Sequence, residues 1–208
     1  VSRETIEKSG NWNLRPFYYM EDVPKIDCEL IKLDETILLE VCSFIDPRNE
    51  PDKEFGVLQV SQNGIFLGDV ITGNEFTQSY KTVKAGDLVY NPYRINIGSI
   101  GIVPSYFDGM LVSPVYVVLR PINEEYPGVY LLSVLKTDRY KKIIMNYSLS
   151  SARANLPYKE LMRIKIPKPN TDDLERLKIL QNDLDNYMSS FNQTRNDIDN
   201  FVTSYIKK

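Results

Sequence analysis

The C-terminal stretch constrains this chain more than any other feature. From Thr171 to Lys208 it contains neither glycine nor proline, so nothing in it interrupts a helix. Thr171 supplies a helix N-cap, and Asp172 and Asp173 put carboxylates where the helix dipole favours negative charge. Stepping by three and four residues from Leu174 gives Leu177, Gln181, Leu184, Met188, Phe191, Arg195, Ile198, Val202 and Tyr205, an apolar seam interrupted only by Gln181 and Arg195. A helix of this length runs for roughly 55 Å at ~1.5 Å per residue, more than one domain of this size covers. Two coverings are open: the helix packs back on its own domain, or it joins another helix in an intermolecular or inter-repeat coiled coil. Its length favours the second, as the seam of a homodimer.

The preceding residues read as a separate globular unit. With 42% hydrophobic and 11% aromatic residues among 208, the chain has ample material for a packed core. Up to about residue 120, short segments such as "GVLQV", "GIFLGDVIT" and "GDLVYN" carry alternating or β-branched apolar positions bounded by turn residues. From Pro127 the spacing becomes helical through Val129, Leu132, Leu135, Ile143, Ile144 and Tyr147, which predicts one helix with Thr137 as its point of breakage. "PYKEL" then makes a helical turn and "MRIKIP" a closing strand, stopped by Pro167 and Pro169. The expected fold class is α+β, a β-rich globular domain at 1–168 followed by a long helix at 169–208. Apolar runs such as "GIFL" and "VYVVL" are far shorter than the ~18 residues of a membrane span, and no basic-then-apolar leader opens the chain. The expectation is a soluble, cytoplasmic protein. Cys28 and Cys42 read as reduced thiols, with a single bridge between them the alternative. The start at Val1 fits an excerpt of a longer polypeptide.

The net charge of −3 conceals a basic middle: residues 1–79 carry −8, residues 80–170 carry +7 and residues 171–208 carry −2. Interleaved with Tyr90, Tyr93, Tyr140, Tyr147 and Tyr158, these cations suit a polyanion-binding face, with flat rings to pack on sugars or bases. A solvated basic surface accounts for the charge equally well.

Catalytic motifs are weak. "NPYR" at 91–94 approaches the Asn-Pro-Pro-Tyr signature of amino-methyltransferases but replaces the second proline by Tyr93, and "FDGML" at 107–111 lacks the last glycine of the matching cofactor loop. "PD" at 51–52 begins a metal-dependent nuclease motif, but nowhere does an acidic residue stand two positions before a lysine. Histidine, the commonest general base and zinc ligand, is absent from the sequence. "NIGSIG" lacks the Gly-Lys-Ser/Thr ending of a phosphate loop and reads as a hairpin turn.

Three segments in order, "VKAGDLVYNPYRINIGSIGIV", "LVSPVYVVLRP" and "SLSSARANLPYKELMRIKIPKP", followed at once by the heptad helix, resemble one half of a type I restriction-modification specificity subunit. Such a half is a target recognition domain with its spacer helix. The likeness is best from about residue 80 onward. Complete subunits hold two such domains and two helices packed antiparallel, whereas one copy stands here. The chain therefore also resembles the C-terminal specificity domain of fused type IIB or IIG enzymes, and "GNWNLRPFYY" at 10–19 resembles the junction at which fused adenine methylases enter their recognition domain.

The resemblance implies a noncatalytic protein without cofactor or metal, which binds double-stranded DNA and partners methyltransferase and restriction subunits. Tyr93, Arg94, Asn96 and Ser99 then lie in a base-reading loop, since arginine pairs bidentately with guanine and asparagine with adenine. Lys81, Lys84, Arg139, Lys141, Lys142 and Arg153 are assigned to phosphates, and Lys159 and Lys165 to solvent. Leu174, Leu177, Leu184, Met188, Phe191, Ile198, Val202 and Tyr205 form the coiled-coil seam, and the ~55 Å rod sets a ceiling of about 16 base pairs at ~3.4 Å each between two recognition domains. Two rivals stand beside this reading: a fragment of a catalytic enzyme, and a coiled-coil module with no DNA role.

Overall fold

A computed structural model describes residues 3–4, 28–148 and 155–206. Residues 10–19 and Arg153 lie outside the described residues. In chain order the elements are β1 (Leu30–Lys32), β2 (Leu38–Glu40), β3 (Phe44–Ile45), β4 (Glu54–Ser61), β5 (Gly64–Thr72), β6 (Tyr80–Thr82), β7 (Leu88–Tyr90), β8 (Ile100–Ile102), β9 (Leu111–Val112) and β10 (Val117–Pro121). They continue as α1 (Gly128–Lys136), α2 (Asp138–Ser148), α3 (Tyr158–Leu161), β11 (Lys165–Pro167) and α4 (Thr171–Ile206). The fold class is α+β, with a β-rich region followed by a long C-terminal helix.

The central layer is an antiparallel sheet in the order β2-β10-β7-β8. Successive strand residues face opposite sides, so Leu88, Tyr90, Val117 and Leu119 meet Leu131, Leu135, Tyr140 and Ile144 of the helices. Val89 and Val118 point the other way, against Leu58, Val60 and Val112 of a second sheet. A strand buried on both faces needs an apolar side chain at every position, which is why "LVY" and "VVL" show no polar alternation. The second sheet runs β3-β6-β9-β4-β5, with β4 and β9 parallel and the other pairs antiparallel. A two-stranded β1-β11 ribbon joins Ile31 to Ile166 and closes the domain. Tyr130 and Tyr140 tie α1 and α2 to that ribbon, their hydroxyls donating to the Pro167 and Lys165 carbonyls at 2.7 and 2.9 Å.

The helix expected over 127–147 is broken at Thr137, whose backbone is extended (φ −64°, ψ 148°). Its hydroxyl serves both ends, donating to the Val134 carbonyl at 2.8 Å and accepting from the Tyr140 N–H at 3.3 Å. Asp87 and Arg120 form a bidentate pair at 2.8 and 2.9 Å, and the Asp87 carboxylate, 1% exposed, also accepts the Lys84 N–H at 2.9 Å.

The long helix departs from expectation at its start. Asn170, not Thr171, is the cap: its side-chain oxygen accepts the Asp172 N–H at 3.0 Å and its carbonyl accepts the Leu174 N–H. The first turns dock on the domain, in contact with α1, and bury Leu174 together with part of Leu177 and Gln181. Leu174 is thereby a contact within the chain rather than part of an outward seam. From Leu184 onward the apolar side chains of α4 are exposed. Among the described residues no helix is long and apolar enough to cross a membrane.

Candidate nucleic-acid interface

The loop between β7 and β8 is locked from within. The Asn91 side-chain oxygen accepts the Tyr93 N–H at 3.0 Å and its carbonyl accepts the Arg94 N–H at 3.0 Å, so Asn-Pro-Tyr-Arg closes a turn. A single 3-10 turn follows at Ile95–Ile97, and Gly98, at φ +91°, ends it in a conformation that side chains disfavour. Ile95 plugs into the helix-side core, and the Pro92 carbonyl accepts the Leu156 N–H at 2.9 Å. With the backbone held on both sides, Tyr93 (48% exposed), Arg94 and Ile97 project outward, and Asn96 is half-buried between them.

Helix α2 flanks this loop. A Cβ at Gly98 would stand 3.3 Å from Lys141 Cε, and Tyr140 and Ile144 share the cluster that receives Ile95. Lys141 pairs with Asp138 at 3.1 Å, while Lys142 is exposed and Arg139 half-buried. Lys136, at the end of α1, joins them. Burial, and then the Lys141 charge, hold its ammonium below the ordinary lysine range. The structure thus brings Lys141 of α2 against Gly98 of the loop that carries Tyr93, Arg94 and Asn96, and Arg139 and Lys142 lie on the same helix.

Two of the residues expected to face DNA, Ser99 and Lys81, are buried instead. Ser99 is 1% exposed and its hydroxyl donates to the Val60 carbonyl at 2.8 Å, so it faces the core and leaves the base-reading set. Lys81 is also buried: its ammonium donates to the Tyr116 carbonyl at 2.7 Å and stands over the Phe44 ring, which makes it a tie between strands. Lys84 is exposed in the turn that precedes β7, whereas the loop follows that strand. Lys159 and Lys165 are exposed to solvent. Of the interleaved tyrosines only Tyr93 offers a free ring. Tyr90 and Tyr140 are core residues, Tyr158 donates to the Leu38 carbonyl at 3.1 Å, and Tyr147 lies beneath the Arg163 guanidinium.

The motifs weighed as catalytic have structural employment. The Asn91 oxygen holds its own turn, and the Asp108 carboxylate accepts the Ala85 N–H at 2.7 Å. Cys28 and Cys42 are free and exposed, and no cluster of three or more His, Cys, Asp or Glu forms among the described residues.

Sequence reasoning also missed residues. Leu180, Tyr187 and Phe201 are exposed on α4, and with Leu184, Phe191, Ile198 and Tyr205 they make a second seam at three-four spacing. The signal was present one register away from the first seam, sharing Leu184, Phe191, Ile198 and Tyr205 with it. Ile97 and Lys136 carried no such signal, since only the packing of α2 brings Lys136 toward the loop.

Fold and site together define an α+β domain that presents a rigid polar loop beside a basic helix and extends a helical arm. That fold is the one found in HsdS subunits. The chain is similar to the HsdS subunit from Thermoanaerobacter tengcongensis, with a TM-score of 0.60 and 17% identity over 82% of this chain and 46% of that one. It is likewise similar to a chain from a structural study of complex assembly and conformational transition of the type I R-M system, with a TM-score of 0.57 and 20% identity over 80% of this chain and 43% of that one. The chain therefore spans less than half the length of the solved structures it matches. No family model and no curated protein matches it.

Proposed function

We propose that this chain is a noncatalytic specificity module that recognises double-stranded DNA and directs methyltransferase and restriction partners to a particular sequence in the cytoplasm. One observation carries the reading: a loop locked by its own backbone aims Tyr93 and Arg94 outward beside Lys141 of α2. Arg94 donates two hydrogen bonds to guanine, Asn96 pairs with adenine, and Tyr93 packs on sugar or base. Lys141, Lys142 and Arg139 take phosphates and set the register of the duplex. The HsdS fold and the type I R-M setting of the second similar chain support the same reading.

Residues 1–168 act as the target recognition domain and residues 169–208 as the spacer helix. The exposed part of α4 pairs in a coiled coil, with a second copy of the chain making a homodimer. Because the base of α4 is docked on its own domain, the free rod runs from Leu184 to Ile206, roughly 35 Å at ~1.5 Å per residue and about 10 base pairs at ~3.4 Å each. Two domains reversed about the two-fold axis read the halves of an interrupted palindrome.

The test is selection of bound duplexes from a randomised DNA library. Enrichment of a defined motif, with affinity falling steeply as salt rises, is the expected result. Recovery of unbiased sequences, or no binding at low salt, removes the proposal.

A further inference from the structure

Ser99 stands at the foot of the recognition loop, yet its hydroxyl reaches a different element, donating to the Val60 carbonyl of β4 at 2.8 Å. Two residues further along, Gly101 of β8 lies so close to β5 that a Cβ there would meet Ile65 Cγ1 at 2.9 Å and the Ile65 nitrogen at 3.1 Å. The β4-β5 hairpin is thus pressed against the strand that leaves the loop, with Val60 and Ile65 paired across it. Its turn follows directly. Ser61 pairs with Gly64, Ser61 Oγ accepts the Asn63 N–H at 3.1 Å, and Gln62 and Asn63 are exposed at the tip.

We infer that Gln62 and Asn63 form a second base-reading element beside the Arg94 loop, selecting A·T pairs in the major groove. The inference rests on the proposed DNA-recognition role and adds residues to it. A carboxamide carries a donor and an acceptor side by side, which match adenine N7 and the N6 amino group. Being neutral, the two side chains discriminate between bases without contributing to counterion release. The Ser99 hydroxyl, bonded to the Val60 carbonyl, joins the hairpin to the loop.

The experiment is motif selection from randomised duplexes with the intact chain, its Gln62→Ala/Asn63→Ala variant and its Arg94→Ala variant. The hairpin variant is expected to lose preference at one or two A·T pairs by roughly tenfold or more. It keeps the preference that Arg94→Ala loses and the unmodified salt slope, which also shows that it is folded. Placing 7-deazaadenine at those pairs should weaken the intact chain and leave the variant unaffected, since N7 is the acceptor removed. A hairpin variant whose motif equals that of the intact chain, while Arg94→Ala alters it, overturns the inference and leaves the proposed function standing. An intact chain without any motif overturns both.

Discussion

Substituting Leu184→Asp together with Phe191→Asp separates the two roles of α4. In the isolated chain these side chains are 53% and 62% exposed, so about half of each surface is still in contact with water. Full burial of such a side chain is worth roughly 2 kcal/mol, and covering the exposed half recovers about 1 kcal/mol each. A symmetric helix pair contains four of these side chains, about 4 kcal/mol, which corresponds to roughly a thousandfold in dissociation constant. Burying carboxylates in their place weakens pairing further. Light scattering over a concentration series should show a concentration-dependent dimer for the intact chain and a monomer for the variant. The variant's thermal midpoint, extrapolated to the monomer, should be nearly unchanged, because Leu174, Leu177 and Gln181 make the contacts with the domain. An intact chain that stays monomeric at tens of micromolar would refute self-pairing. Unfolding of the whole variant would show that the outer helix packs on its own domain.

Arg94→Ala should cost about 1–3 kcal/mol of discrimination at one base pair in competition binding and leave the melting temperature in place, since its side chain is exposed. Lys141→Ala with Lys142→Ala should weaken all sequences alike and reduce the slope of log affinity against log salt by about 0.9 for each phosphate no longer neutralised. Asp87→Ala removes the acceptor of the Arg120 guanidinium and of the Lys84 N–H; with Arg120 36% exposed and able to reach water, the cost is about 1–2 kcal/mol, which calorimetry should register as a fall of roughly 2–8 °C in Tm. Burial pushes the Tyr130 and Tyr140 hydroxyls from 10.0 up to about 12. The folded state therefore holds their protons where the unfolded chain releases them. The associated stability is fully present below pH 10 and declines toward pH 12, and Tyr130→Phe/Tyr140→Phe should flatten that decline in melting curves taken across this range.

Local patterns settled much of this fold. The glycine- and proline-free stretch after Asn170 required a helix, the alternating segments required strands, and the polar residues between "DLVY" and "IGIV" required a loop, because each depends on spacing along a few neighbouring residues. Thr137 was legible as a break for the same reason. The division of α4 was not, because spacing reports which residues share a face and not which neighbour covers it. Only the placement of α1 buries Leu174 and leaves Leu184 in water. The fates of Ser99 and Lys81 likewise depended on tertiary structure. In sequence a serine beside an arginine-bearing loop and a lysine in a basic segment look available to DNA. The carbonyls that claim them belong to Val60 and Tyr116, 39 and 35 residues away, brought near by sheets whose order no local pattern specifies. Tyr90 and Tyr140 show the same limit: a tyrosine suits a core with one polar partner as well as it suits a nucleic-acid face. Which of the two it serves is decided by whether a carbonyl from a distant part of the chain, Leu156 for Tyr90 and Lys165 for Tyr140, meets its hydroxyl.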